Sequence, residues 1–389
     1  MPEALICGAG KIGRGFLGQL LHRSGWILRF LDGSPQVVAL LNREKRYRVD
    51  IAGRDDLREY IPVAGAFGLD DAAAVRPSFA SADLIVSAVG AANIPGLARF
   101  IAPLLAARGG KPLDWLICEN AEAPAKTIRD TLLATAPDQA VYIKEHLGLV
   151  ETQILRTGMN ADPAVLAVEP LALRMHDWWT LPADAEAFRA GIPKITGLEA
   201  RPNFGNELKR KLYTFNGLNG PICYLGHQAG FQFMHEAATA PALQNLLHGV
   251  QEESAHGLVN EFHFDPAGHC AFQLLAWEKY RDPALQDAIE RNARDSARKL
   301  SAHERLVGPA ALCLKHGRDP VAYAAAIAAA IAYRGSDDAG TRAVAARLQS
   351  DGVPAVLKEF CGLAPDSRLA SLVIAAWNRG GHHLQSQAN

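Results

Sequence analysis

The chain has 389 residues, 49% of them apolar and 21% charged, enough for two or three packed domains. Forty Lys and Arg against 41 Asp and Glu leave a net charge of −1, which argues against a nucleic-acid binder, because such proteins carry a basic excess or stripe. No apolar run approaches the roughly 18 residues that cross a bilayer. The N-terminus has no basic stretch or small-residue cleavage site, and the six cysteines are scattered without a Cys-x-x-Cys pair. We therefore expect reduced, mostly buried thiols in a cytoplasmic protein, with no metal.

Ala4–Cys7 is a short apolar run of the kind that becomes a buried parallel strand. Gly8-Ala9-Gly10-Lys11-Ile12-Gly13 follows at once. A helix through Phe16 closes at Gly25, and a second strand from Trp26 ends on Asp32. Strand, Gly-x-Gly-x-x-Gly, helix, strand and acidic residue form the full context of a dinucleotide site. Gly8 permits the tight turn, Gly10 lets the backbone approach a pyrophosphate, and Gly13 lets the helix pack on the strand. The free N–H groups of the helix start, at Lys11 and Ile12, suit phosphate. Asp32, 19 residues after Gly13, accepts from ribose hydroxyls and repels a 2′-phosphate, so NAD is expected over NADP.

Further strands are expected over Ala82–Val89, which puts Val89 and Gly90 at the carboxyl edge of the sheet beside the cofactor, and over Asp114–Cys118, followed by Glu119 and Asn120. Asn120 has two readings: N-cap of a helix from Ala121 to Ala134, or a contact at the cofactor and substrate edge. Tyr142–Val150 and Val165–Glu169 are possible strands. Pro193, Gly197, Pro202 and Gly205 punctuate the chain, so the boundary is placed at residues 1–197 and 198–389. Beyond it helical periodicity dominates, and the alanine-rich residues 321–333 are a strong, buried helix former. The expected fold is an α/β Rossmann-type N-terminal domain followed by a mostly α-helical C-terminal domain. Gly380 to Asn389, with His382-His383, reads as a frayed tail.

Two stretches of the second half carry candidate chemistry. Lys211-Leu-Tyr-Thr-Phe-Asn216-Gly-Leu-Asn219 offers one amine and two carboxamides within nine residues. Arg291, Arg294, Arg298, Lys299, His303 and Arg305 crowd fifteen residues. Such a run is either a solvated helix face or a cationic rim for an anionic substrate group. Arg291 and Arg298, seven apart, would share a helical face, with Arg294 and Arg305 close to that stripe.

These features together resemble the mannitol-1-phosphate 5-dehydrogenase branch of the long-chain polyol dehydrogenase family. Gly8-Ala-Gly-Lys-Ile-Gly-Arg-Gly-Phe16 resembles the family's start almost letter for letter. Ser87-Ala-Val-Gly90, Cys118-Glu-Asn120, Lys211-Leu with Asn216, Tyr224-Leu-Gly226, Glu252-Glu-Ser254 and Arg298-Lys-Leu-Ser301 follow in the family's order. The resemblance implies metal-independent hydride transfer between NAD and a secondary alcohol of an acyclic polyol or polyol phosphate, and points to a monomer. In the family pattern Lys-x-x-x-x-Asn-x-x-His, the lysine, here Lys211, is the general acid/base. Asn216 and Asn120 match the oxyanion-stabilising asparagines. Arg291 and Lys299 match substrate-contacting positions, with Arg294, Arg298, Glu151 and Asn219 as further substrate candidates. The family histidine is Asn219 here, and Gly220-Pro221 follows it, so a helix through this stretch is expected to kink or end. The family's Val-Asp-Arg-Ile segment stands as Val150-Glu151-Thr152-Gln153-Ile154, without the arginine. An unphosphorylated polyol, a sugar acid, or a non-catalytic NAD-binding role are the alternatives.

Overall fold

The computed structural model describes residues 1–121 and 123–380, the Asp55 side chain apart; the tail after Gly380, His382 and His383 included, lies outside them. The chain divides into two compact units, Met1–Phe204 and Gly205–Asn389.

The first unit is built on a six-stranded parallel sheet. Its strands are β1 (Glu3–Cys7), β2 (Ile27–Asp32), β3 (Gly65–Gly68), β4 (Leu84–Ser87), β5 (Leu113–Ile117) and β6 (Leu147–Glu151), in the order β3-β2-β1-β4-β5-β6. The order reverses beside β1, which opens a crevice at the carboxyl ends of β1 and β4, where ligands of open α/β sheets bind. Alternation along each strand serves two cores. Leu5 and Cys7 of β1 face one core with Ile85, Trp115 and Ile128. Ala4 and Ile6 face the other with Phe16, Leu20 and Phe30. Both faces are covered, which is why these strands read as continuous apolar runs.

A second sheet lies on the Ala4 side. The hairpin Arg46–Ile51/Arg54–Pro62 turns at Gly53 and pairs onward with Leu173–Met175 and Gly158–Asn160. Its Tyr47, Val49 and Met175 join the core against the helix that follows the glycine loop. Glycines make room there: a Cβ on Gly15 would stand 2.4 Å from the Met175 sulfur, and one on Gly18 2.2 Å from the Tyr47 hydroxyl.

Two strand expectations are corrected. Residues Ala140–Glu145 are helical, and only Leu147–Glu151 is strand. Val165–Val168 falls in the helix Pro163–Val168, with Glu169 at its C-cap; Asp162 caps the start by accepting from the Ala164 N–H, with Pro163 in the first turn. Capping and proline override the β-branched content.

The second unit is helical among its described residues. Its longer helices include Gly217–Gln228, Pro241–Phe262, Pro266–Arg281, Val321–Ala332, Ala339–Glu359, which breaks at Gly352 (φ 73°), and Arg368–Gly380. The alanine-rich helix Val321–Ala332 is buried along most of its length.

Candidate active site

In the first unit the glycine loop has the shape a pyrophosphate needs. Gly8 has φ +94°, and a Cβ there would sit 2.4 Å from the Ala88 oxygen; a Cβ on Gly13 would sit 1.8 Å from the Gly8 oxygen. A Cβ on Gly10 would meet no protein atom within 4 Å, so that backbone is open to a ligand. Two groups hold the loop. The buried Arg14 guanidinium donates to the Ala9 oxygen and to the Leu171 oxygen. Asp32 accepts from the Ala9 N–H at 2.6 Å and the Ser34 N–H at 2.8 Å. Each Asp32 oxygen keeps a lone pair for a ribose hydroxyl. The residues present therefore fit a dinucleotide with an unmodified 2′-hydroxyl.

At the end of β4, the Val89 and Gly90 N–H groups both donate at 2.8 Å to the buried carboxylate of Glu119. This residue pins the second crevice loop to β5, and the sequence reading does not single it out. Burial pushes the Glu119 carboxyl up, against the hydrogen bonds from Val89, Gly90 and Ser87. Asn120, next to it, is exposed. Its N-cap reading is overturned: the helix begins at Pro124 with Ala123 at the cap position. The carboxylate of Glu151, at the end of β6, takes the first-turn N–H of Ala125 at 3.1 Å. Glu151 thus has a structural task at that helix start.

In the second unit one helical run carries the candidate chemistry. It comprises Phe204–Lys211, a wide π-type turn over Leu212–Asn216, and Gly217–Gln228. The helix expected to kink or end at Gly220-Pro221 does not end there but runs on to Gln228. Pro221 offers no N–H to the Gly217 carbonyl, but the Tyr323 hydroxyl donates to that oxygen at 3.2 Å. Gly217 is required, because a Cβ there would lie 2.7 Å from the same hydroxyl.

The wide turn decides which side chains share a face. At about 100° per residue, positions five apart on an α-helix diverge by about 140°. One extra residue in a wide turn reduces this to about 40°, and positions eight apart then nearly eclipse. Lys211, Asn216 and Asn219 consequently fall on one side. Neither the Lys211 amine nor the Asn216 carboxamide has a hydrogen-bond partner among the described residues. Burial first, then the neighbouring Lys279 and Arg305, pull the Lys211 ammonium down to about 7, with Glu304 opposing.

Asn219, 7% exposed, donates to the Asn292 oxygen at 3.1 Å. Asn292 in turn donates to the Asp287 carboxylate, which fixes the orientation of both amides. Asp287 also accepts from Arg291. Lys299, 5% exposed, donates to the Asn292 backbone oxygen, and burial pulls its ammonium down to about 8.

The single helical stripe expected for the basic segment is overturned. The helix Ile289–Ala293 ends, Asp295 takes a left-handed conformation (φ 62°), and a short helix Ser296–Lys299 starts in a new direction. Arg291, Arg294 and Arg298 are exposed and paired with Asp287, Glu290, and Asp295 plus Glu304 respectively. The buried cations of this segment are Lys299 and Arg305; the half-buried Lys279 joins them, its ammonium lowered to about 8 chiefly by desolvation. Lys279 lies in the last turn of the helix Pro266–Arg281, and nothing in its local sequence marks it. Among the described residues no group of three or more His, Cys, Asp or Glu could hold a metal ion.

A glycine-loop nucleotide unit followed by a helical unit with a lysine tuned near neutrality defines a cofactor-dependent dehydrogenase. Comparison with known proteins gives the family. The mannitol dehydrogenase Rossmann domain matches residues 2–196, and the mannitol dehydrogenase C-terminal domain matches residues 207–377. The chain belongs to the mannitol dehydrogenase family. A solved D-sorbitol dehydrogenase, in substrate-free form, superposes with a TM-score of 0.78 at 15% identity, covering 97% of this chain and 92% of that one. Pseudomonas fluorescens mannitol 2-dehydrogenase, solved with NAD and D-mannitol, superposes with a TM-score of 0.72 at 14% identity, covering 99% and 92%. At these identities the likeness establishes the shared fold.

Proposed function

We propose that the protein interconverts a sugar-alcohol phosphate, mannitol 1-phosphate among the candidates, and a ketose phosphate, and belongs to the mannitol-1-phosphate 5-dehydrogenase branch. The enzyme is an NAD-dependent oxidoreductase, and bound NAD supplies the hydride acceptor. Gly8, Ala9, Gly10, Lys11, Ile12 and Gly13 hold the pyrophosphate, Asp32 the ribose, and Val89, Gly90 and Asn120 border the cofactor. The observation that carries the assignment is Lys211: an amine held at about 7, on the same helix side as Asn216 and Asn219. In the oxidative direction its neutral form takes the hydroxyl proton while the carbinol hydrogen leaves as hydride. Asn216 and Asn120 donate to the developing alkoxide, and Asn219 hydrogen-bonds a substrate hydroxyl without sharing a proton.

Lys299 is the buried cation assigned to the phosphate, with Arg291, Arg294 and Arg298 at the rim and Glu151 on a hydroxyl. The test compares kcat/KM for a polyol phosphate with that for the free polyol. A charge-assisted contact predicts a preference of about tenfold or more, reduced by Lys299→Met; equal rates would remove the phosphate. A free polyol is the second reading, because Arg291, Arg294 and Arg298 already carry carboxylate partners; a sugar acid would need the same cations as the phosphate.

A further inference from the structure

We infer that Tyr323 is a positioning residue, whose hydroxyl, together with those of Ser254 and Tyr280, holds the wide turn that brings Lys211, Asn216 and Asn219 to one side of their helix. The inference rests on the role given to Lys211 above.

A wide turn breaks the regular ladder of backbone hydrogen bonds, and Pro221 removes one further donor. The carbonyls around it are buried, so each needs a donor from elsewhere. Three side chains provide them. Ser254 donates to the Tyr213 oxygen at 2.7 Å, Tyr280 to the Phe215 oxygen at 3.0 Å, and Tyr323 to the Gly217 oxygen at 3.2 Å. The Tyr323 hydroxyl also lies 3.4 Å from the Tyr213 oxygen. These donors come from three different helices, Pro241–Phe262, Pro266–Arg281 and Val321–Ala332.

Tyr323 is itself fixed. It is fully buried, and the buried carboxylate of Glu253 accepts from the Ala322 N–H at 2.7 Å and the Tyr323 N–H at 2.9 Å. This anchors the first turn of its helix, where a negative group also meets the positive end of the helix dipole. Glu253 therefore sets the Tyr323 ring, the Tyr323 hydroxyl sets the Gly217 carbonyl, and the turn sets the angle between Lys211 and Asn216. Relaxation to a regular helix would carry those two side chains from about 40° to about 140° apart.

The test is a double-mutant cycle on the full-length enzyme. Tyr323→Phe keeps the ring and deletes the donor. It should lower kcat by about tenfold or more, leave the KM for NAD unchanged, and move the limb of the kcat/KM pH profile from about 7 toward the ordinary lysine range. Pro221→Ala returns a peptide N–H to the Gly217 carbonyl. Alone it should be nearly neutral, and in the Tyr323→Phe background it should recover most of the lost kcat and the pH limb. Wild-type kcat and pH limb in Tyr323→Phe, or a double variant no faster than the single, overturns the inference. Should Tyr323→Phe fail to fold, Ser254→Ala and Tyr280→Phe take its place, and unchanged kcat in both overturns it. A dead Lys211→Ala beside an uncoupled cycle rejects only the positioning role. An active Lys211→Ala rejects the role of Lys211 itself.

Discussion

Lys211 shows what one desolvated amine costs and what it gains. Its ammonium is depressed from 10.5 to about 7, so between those values the unfolded chain holds a proton that the folded chain has released. Stability from this group therefore rises with pH across that window, and the penalty is complete below about 7. Lys211→Met should raise the melting temperature at pH 7 while lowering turnover by about a hundredfold or more and leaving NAD affinity unchanged. In the wild type, kcat/KM for alcohol oxidation should rise with pH through about 7 and then level off. A profile flat across that range would exclude Lys211 as the base. Asp32 makes a separate claim. Asp32→Asn keeps an acceptor oxygen for one backbone amide but loses the charge, and it should relax the discrimination against NADP. An unchanged NAD-to-NADP ratio would take Asp32 out of the ribose site.

Among the elements, the glycine loop was legible because each of its glycines answers a steric demand that composition and spacing expose. Gly13→Ala would force a Cβ to 1.8 Å from the Gly8 oxygen, so titration should show NAD binding weakened well beyond tenfold; near-normal affinity would contradict the packing described here. The helical run that carries Lys211 was legible only in part. Lys211 and Asn216 stand out in the sequence, but their five-residue spacing makes sense only with the wide turn, and its supports, Ser254, Tyr280 and Tyr323, lie 38 to 107 residues away from Asn216. Asn-Gly-Leu-Asn-Gly-Pro reads locally as a turn, and it is helical because the Tyr323 hydroxyl replaces the missing proline N–H. The basic segment failed in the opposite sense. Its periodicity suggested one helix, whereas Asp295 breaks the run and pairs with Arg298. Local sequence signals a helix or a turn well, but not a distant donor that changes the outcome.

At the scale of the whole molecule, the chain forms two compact units, the first carrying the glycine loop and the second Lys211, the base we propose. No helix among the described residues is long and apolar enough to cross a membrane. All six cysteines are free, five of them buried and Cys270 exposed. Burial pushes the Cys223 thiol, beside Asn219, up to about 12, so thiol reagents at neutral pH should leave turnover intact and label Cys270 first. The central proposal is that NAD receives a hydride from a polyol whose hydroxyl proton goes to Lys211. The most direct measurement is the rate of NADH formation from polyol phosphates and free polyols, with wild type and Lys211→Ala side by side in a metal chelator. The account predicts NADH from the wild type in chelator and almost none from Lys211→Ala at equal NAD affinity. Equal rates in the two proteins, or wild-type activity that disappears with the chelator and returns with zinc, would contradict it.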